Sequence, residues 1–166
     1  MNITLLFSKL GLPAQMSQNV MLIIFIALIS FVYGMLLGKH KLMTVLINIY
    51  VAFAVVSVVP KDLIADYNSR ILIFLGILAM MTILDKRFFD ISFSGAGSGF
   101  LFRVFSMSFL EIVLVLSIIF SYTPIKVAMG YISADAYTYL VTGWAPLVWM
   151  AAPLVYMFFI YKRINH

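Results

Sequence analysis

Cysteine is absent from the 166 residues. That excludes a disulfide framework, a thiolate-ligated metal, an iron–sulfur cluster and a thiol nucleophile, and it leaves the redox compartment open. Charge is scarce too: Asp, Glu, Lys and Arg make up 10% of the chain, against about 25% in a soluble domain. A disordered chain needs more charge and fewer apolar residues, so the globular and the disordered classes both fall away. Histidine occurs twice, as His40 between Lys39 and Lys41 and as His166 at the last position. Neither stands in a metal-ligand pattern, and no serine has a histidine partner at a suitable depth. No cofactor and no metal are expected, and the chain reads as non-enzymatic.

What is present is hydrocarbon. Hydrophobic residues make up 64% of the chain and the mean hydropathy is +1.12. The composition predicts an all-α, polytopic integral membrane bundle of about five transmembrane helices. A crossing takes about 20 apolar residues. Residues 20–38, 42–59, 68–84, 101–122 and 144–161 supply the candidate runs. The third is the weakest, because its uncharged part, 71–84, holds 14 residues. That is roughly 21 Å of helix, so Arg70 and Lys86 or Arg87 must snorkel for it to span. None of the runs alternates as a barrel strand would, so helices are the way to pair the backbone in lipid.

The net charge of +5 invites a nucleic-acid reading until the charges are located. They sit in ones and twos at the edges of apolar runs, so topology explains them and no nucleic-acid partner is expected. With five spans, Lys39, Lys41, Lys86, Arg87, Arg103, Lys162 and Arg163 share one side, and Lys9, Lys61, Arg70 and Lys126 the other. The positive-inside rule then predicts N-terminus out and C-terminus in.

Residues 1–18 have neither the basic start nor the cleavage site of a signal peptide. Ile3, Leu6, Phe7 and Leu10 recur at helical spacing, which predicts an amphipathic interfacial segment ahead of one transmembrane domain, 19–166. A frayed terminus is the alternative. The loop 85–103 contains Gly95, Gly97 and Gly99, whose freedom suits a hinge or sharp reversal. No Lys-Ser/Thr follows, so it is not a P-loop, although a small backbone anion nest is an alternative. In the loop 123–143, Ser133 can cap a short helix through Val141. Tyr122, Tyr131, Tyr137, Tyr139 and Trp144 read as an interfacial belt, with ligand stacking as the sharper alternative.

Glu111 is the acidic residue placed well inside an apolar run. A carboxyl near mid-membrane is costly and must face other helices or water. Ser108 lies one turn earlier on the same face, and Asn48 of the second run is the expected partner across a helix interface. Three readings stay open for Glu111: a protonated carboxyl gluing helices, a station on a proton or ion path, or an assembly contact. Ser30, Gly34 and Gly38 form a small-residue ladder that admits a close helix, from the same chain or a neighbour. Pro153 removes a backbone hydrogen bond and is a candidate hinge in the last span.

From about residue 20 to 122 the layout resembles the CvpA family of small bacterial inner-membrane proteins. The likeness lies in Gly34-Met35-Leu36-Leu37-Gly38-Lys39 leading through a basic turn, in Asp85-Lys86-Arg87 closing the third helix, and in the Gly/Ser connector 94–99 before Arg103. The chain departs from the family in its fifth helix, its aromatic outer loop and the missing Arg-Gly at the first turn. The resemblance implies an envelope-related membrane protein without defined catalytic residues. Two functions follow as expectations. One is a scaffold or accessory subunit of an envelope or secretion-related assembly, whose partners are the bilayer and other membrane subunits or copies of itself. The other is a small oligomeric channel or transporter with Glu111 on its path.

Overall fold

The computed structural model describes residues 14–60, 62, 64, 66–88 and 100–164. The amphipathic segment expected over 1–13 and the glycines 95, 97 and 99 lie outside the described residues. The architecture is all-helical, with no strand among the described residues. The elements are α1 (Ala14–Val58), α2 (Tyr67–Phe88), α3 (Phe100–Tyr122), α4 (Ile125–Ala128), α5 (Ala134–Val141) and α6 (Ala145–Ile164).

The first element carries helical backbone without a break over 45 residues, yet it is not a straight rod. At one end, the Ser133 hydroxyl donates to Asn19 Oδ1. Further along, Gly34 lies against Val104 and Ser108 of α3. The first arm therefore runs antiparallel to α3. Phe53, in the second arm, stacks on Tyr122 at the far end of α3, with ring centroids 6.5 Å apart. A straight helix would separate Asn19 from Phe53 by about 50 Å, so the chain folds back between the arms. Each arm, Asn19–Leu37 and Lys41–Val58, is long and apolar enough to cross a membrane. The reversal expected around Lys39-His40-Lys41 is thus present, but within helical backbone rather than in a loop.

Sequence explains which face turns inward. In the second arm Leu42, Val45, Leu46, Ile49, Ala52 and Val56 are buried, a stripe at three- and four-residue spacing. In α3 Val104, Met107, Ser108, Glu111, Leu114 and Ile118 are buried on the same period, and Val113 and Ser117 widen the stripe. Third in the chain of long helices, α3 is the centre of the bundle and packs against α1, α2, α5 and α6. The span Tyr67–Leu84 of α2 is the least buried, with Phe74 as its fully enclosed side chain. Its helix starts four residues before the uncharged stretch, and Arg70 Nε donates to the Ile64 carbonyl at 3.2 Å. Lipid is as apolar as leucine, so close packing and polar clasps, rather than water exclusion, hold such faces together.

The last candidate run lies in α6 and is preceded by a sharp bend. Ser133 caps α5, accepting from the Ala136 amide at 3.1 Å. Gly143 then takes a left-handed φ of 61°, and the chain bends by 59° between α5 and α6. That conformation is cheap for glycine alone. Trp149 Nε1 donates to the Tyr139 carbonyl at 2.8 Å, and Ser117 Oγ to the Leu140 carbonyl at 2.7 Å, so α5 is tied to both α6 and α3. Helical backbone continues through Pro153, which is fully buried. The sharp bend therefore lies ten residues before the proline singled out as a hinge. Among the described residues four helical stretches are long and apolar enough to span, or five if α5 and α6 form one broken span.

Candidate functional site

The middle of α3 carries the polar centre of the molecule. Glu111 is completely buried, at a depth where an ionisable group is costly to place. Its Oε2 accepts a hydrogen bond from the Tyr33 hydroxyl at 3.2 Å. Tyr33 comes from the first arm of α1, one residue before Gly34. The glycine explains the reach: a Cβ at position 34 would sit 2.5 Å from Ser108 Oγ and 3.0 Å from Val104 Cγ1. Without that Cβ the first arm sits close enough to α3 for the tyrosine to meet the carboxyl one turn beyond Ser108. The close approach that this ladder admits is accordingly to a helix of the same chain.

Several polar side chains around this centre are enclosed. Ser30 is fully buried and donates to the Ile26 carbonyl at 2.6 Å, within its own helix. Ser108 is fully buried and Asn48 is 2% exposed. Glu111 Oε1 and Ser108 Oγ have no hydrogen-bond partner among the described residues. The hydrogen bond shown for the carboxyl comes from Tyr33, a residue the sequence reading passed over in favour of Asn48. A tyrosine late in an apolar run is easily assigned to the interfacial belt; its position one residue before a packing glycine was the available clue. Tyr50, midway along the run 42–59, carries a further tie. Its hydroxyl donates to the Met150 carbonyl of α6, one residue after the Trp149 carbonyl that Pro153 leaves without its helical donor.

Glu111 and Tyr33 line a cavity of about 470 Å³ between the two arms of α1, α3 and the segment after α4. Most of its wall is hydrocarbon, including Phe25, Ile49, Ile112, Val115 and Phe120. At the end away from Glu111 it meets Tyr131 and Ile132. There it adjoins a second cavity, of about 370 Å³, that shares Leu22, Phe25, Tyr131 and Ile132. Tyr131 is exposed, so the pair of cavities leads from the surface segment toward the buried carboxyl. Of the belt aromatics, Tyr131 is the one placed on this wall.

The arrangement offers one carboxyl, one phenol and an apolar chamber. Among the described residues no three His, Asp or Glu side chains are grouped to hold a metal ion. Comparison with protein-family models, with curated proteins and with solved structures gave no match.

Proposed function

We propose that the chain is a non-enzymatic multi-pass protein of the bacterial inner membrane. It crosses five times, with its N-terminus out and C-terminus in, and serves as a scaffold or accessory subunit of an envelope or secretion-related assembly. The observation behind this reading is how the polar groups are spent. Tyr33, Tyr50, Ser117 and Trp149 are each engaged in joining one helical element to another, which serves architecture rather than turnover. Large apolar side chains meanwhile cover the outside, among them Ile24, Leu28, Leu72, Met80 and Phe158. Such surfaces suit lipid or neighbouring subunits. The CvpA-like layout points the same way. Light scattering of protein extracted in mild detergent from membranes at native abundance tests the reading. An oligomer or a stoichiometric complex is expected, and a bare monomer under every extraction condition contradicts it.

A second reading, a small channel or transporter, draws on Glu111 lining a chamber. Its test is flux in proteoliposomes. Flux that Glu111→Gln abolishes supports it, and an inert wild-type protein removes it.

A further inference from the structure

We propose that the chamber beside Glu111 is a binding site for a lipophilic organic cation: an amine or quaternary centre carried on an aromatic or branched apolar body. The site can be filled whether or not anything crosses the membrane, so this goes beyond both functions above.

The argument starts with size. At about 470 Å³ the chamber falls in the range of about 300–1,000 Å³ typical of small-molecule sites. Its wall is apolar, so the ligand's body must be apolar as well. The wall carries one acidic residue, Glu111, and no basic one. An anionic amphiphile such as a fatty acid or phosphatidic acid would meet a carboxyl and nothing to pair with it. A plain hydrocarbon chain would fit the wall but leave the carboxyl as it stands, fully buried with Oε1 unpartnered. A donor-bearing centre satisfies that oxygen, and an organic cation pairs with the carboxylate as the carboxyl's proton leaves to solvent. Besides Tyr33, the wall holds the rings of Phe25, Phe120 and Tyr131, and such rings attract organic cations and tolerate apolar bodies. Entry is provided from the Tyr131 end, where the adjoining cavity reaches exposed residues.

The test uses two probes of one shape and opposite charge, tetraphenylphosphonium and tetraphenylborate, in flow dialysis against the full chain in detergent. The phosphonium is expected to bind saturably and the borate not at all. Glu111→Gln is expected to weaken phosphonium binding about tenfold or more. Val115→Trp, which fills the chamber one turn beyond the carboxyl, is expected to abolish it in protein that still elutes and melts as wild type. The proposal is overturned if the two probes bind alike, if oleate binds more tightly than the phosphonium, or if folded Glu111→Gln binds as wild type does. Should Glu111→Gln not fold, undiminished binding by Val115→Trp overturns it equally.

Discussion

Glu111, Tyr33, Gly34 and Ser108 form a unit in which each residue makes sense through the others. The carboxyl needs a donor, the tyrosine supplies it, and the glycine lets the two helices come close enough. Hydrogen bonds between membrane helices average about 0.6 kcal/mol and reach about 1.7 kcal/mol at most. A double-mutant cycle with Tyr33→Phe and Glu111→Gln, read by thermal unfolding in detergent, is therefore expected to give a coupling in that range. A coupling near zero would mean that the pair does not act together. At Gly34 the interaction is steric. Gly34→Ala places a methyl 2.5 Å from Ser108 Oγ, and overpacking of this kind costs about 1–3 kcal/mol. Adding Ser108→Ala removes the oxygen and is expected to restore part of the loss, though not all, because Val104 Cγ1 remains 3.0 Å away. Equal stability of the single and double variants would contradict that geometry. Hydropathy treats tyrosine as a boundary residue, which is why the acid was legible in the sequence while its hydroxyl donor was not.

Among the elements, composition went furthest. Length and apolarity alone locate the two arms of α1, the full extent of α3 and the α2 span, because in lipid an apolar run has few alternatives to a helix. The helix capped by Ser133 was legible for a different reason: a serine ahead of a short polar-and-aromatic stretch offers its oxygen to an amide three residues on. Shape was harder to read. The turn between the arms looked like a loop because it is basic, whereas its backbone continues as helix. A bend of 59° lies at Gly143, just ahead of the run 144–161, and helical backbone continues through Pro153 within that run. A proline removes one hydrogen bond that neighbouring helices can replace, and Tyr50 donates to a nearby carbonyl. A left-handed glycine changes the direction of the chain outright. Gly143→Ala meets no atom within 4 Å, so its cost is conformational alone, about 1–2 kcal/mol. The expected result is a lower melting temperature with phosphonium binding by the chamber unchanged. A melting temperature at or above wild type would show that the left-handed turn is not required.

Across the whole molecule, the described charges gather at the helix ends and the described acids and bases leave the middle to Glu111. The arm containing Asn19 starts at the Tyr122 end of α3, and the second arm returns to that end at Phe53. Two neighbouring passes thus begin and finish on one side, which fixes the side of the Asp66 connection relative to the turn at His40. The chain contains no cysteine, so single cysteines can be placed without background at His40, Asp66, Ala96 and Asp135. Labelling them with a membrane-impermeant maleimide in intact cells and in inverted vesicles tests directly the claim that the second arm of α1, α2 and α3 each cross the bilayer. Positions 40 and 96 are expected to react only from the inner face, and positions 66 and 135 only from the outer. Reaction of 40 and 66 from the same face, or of all four in intact cells, would contradict it.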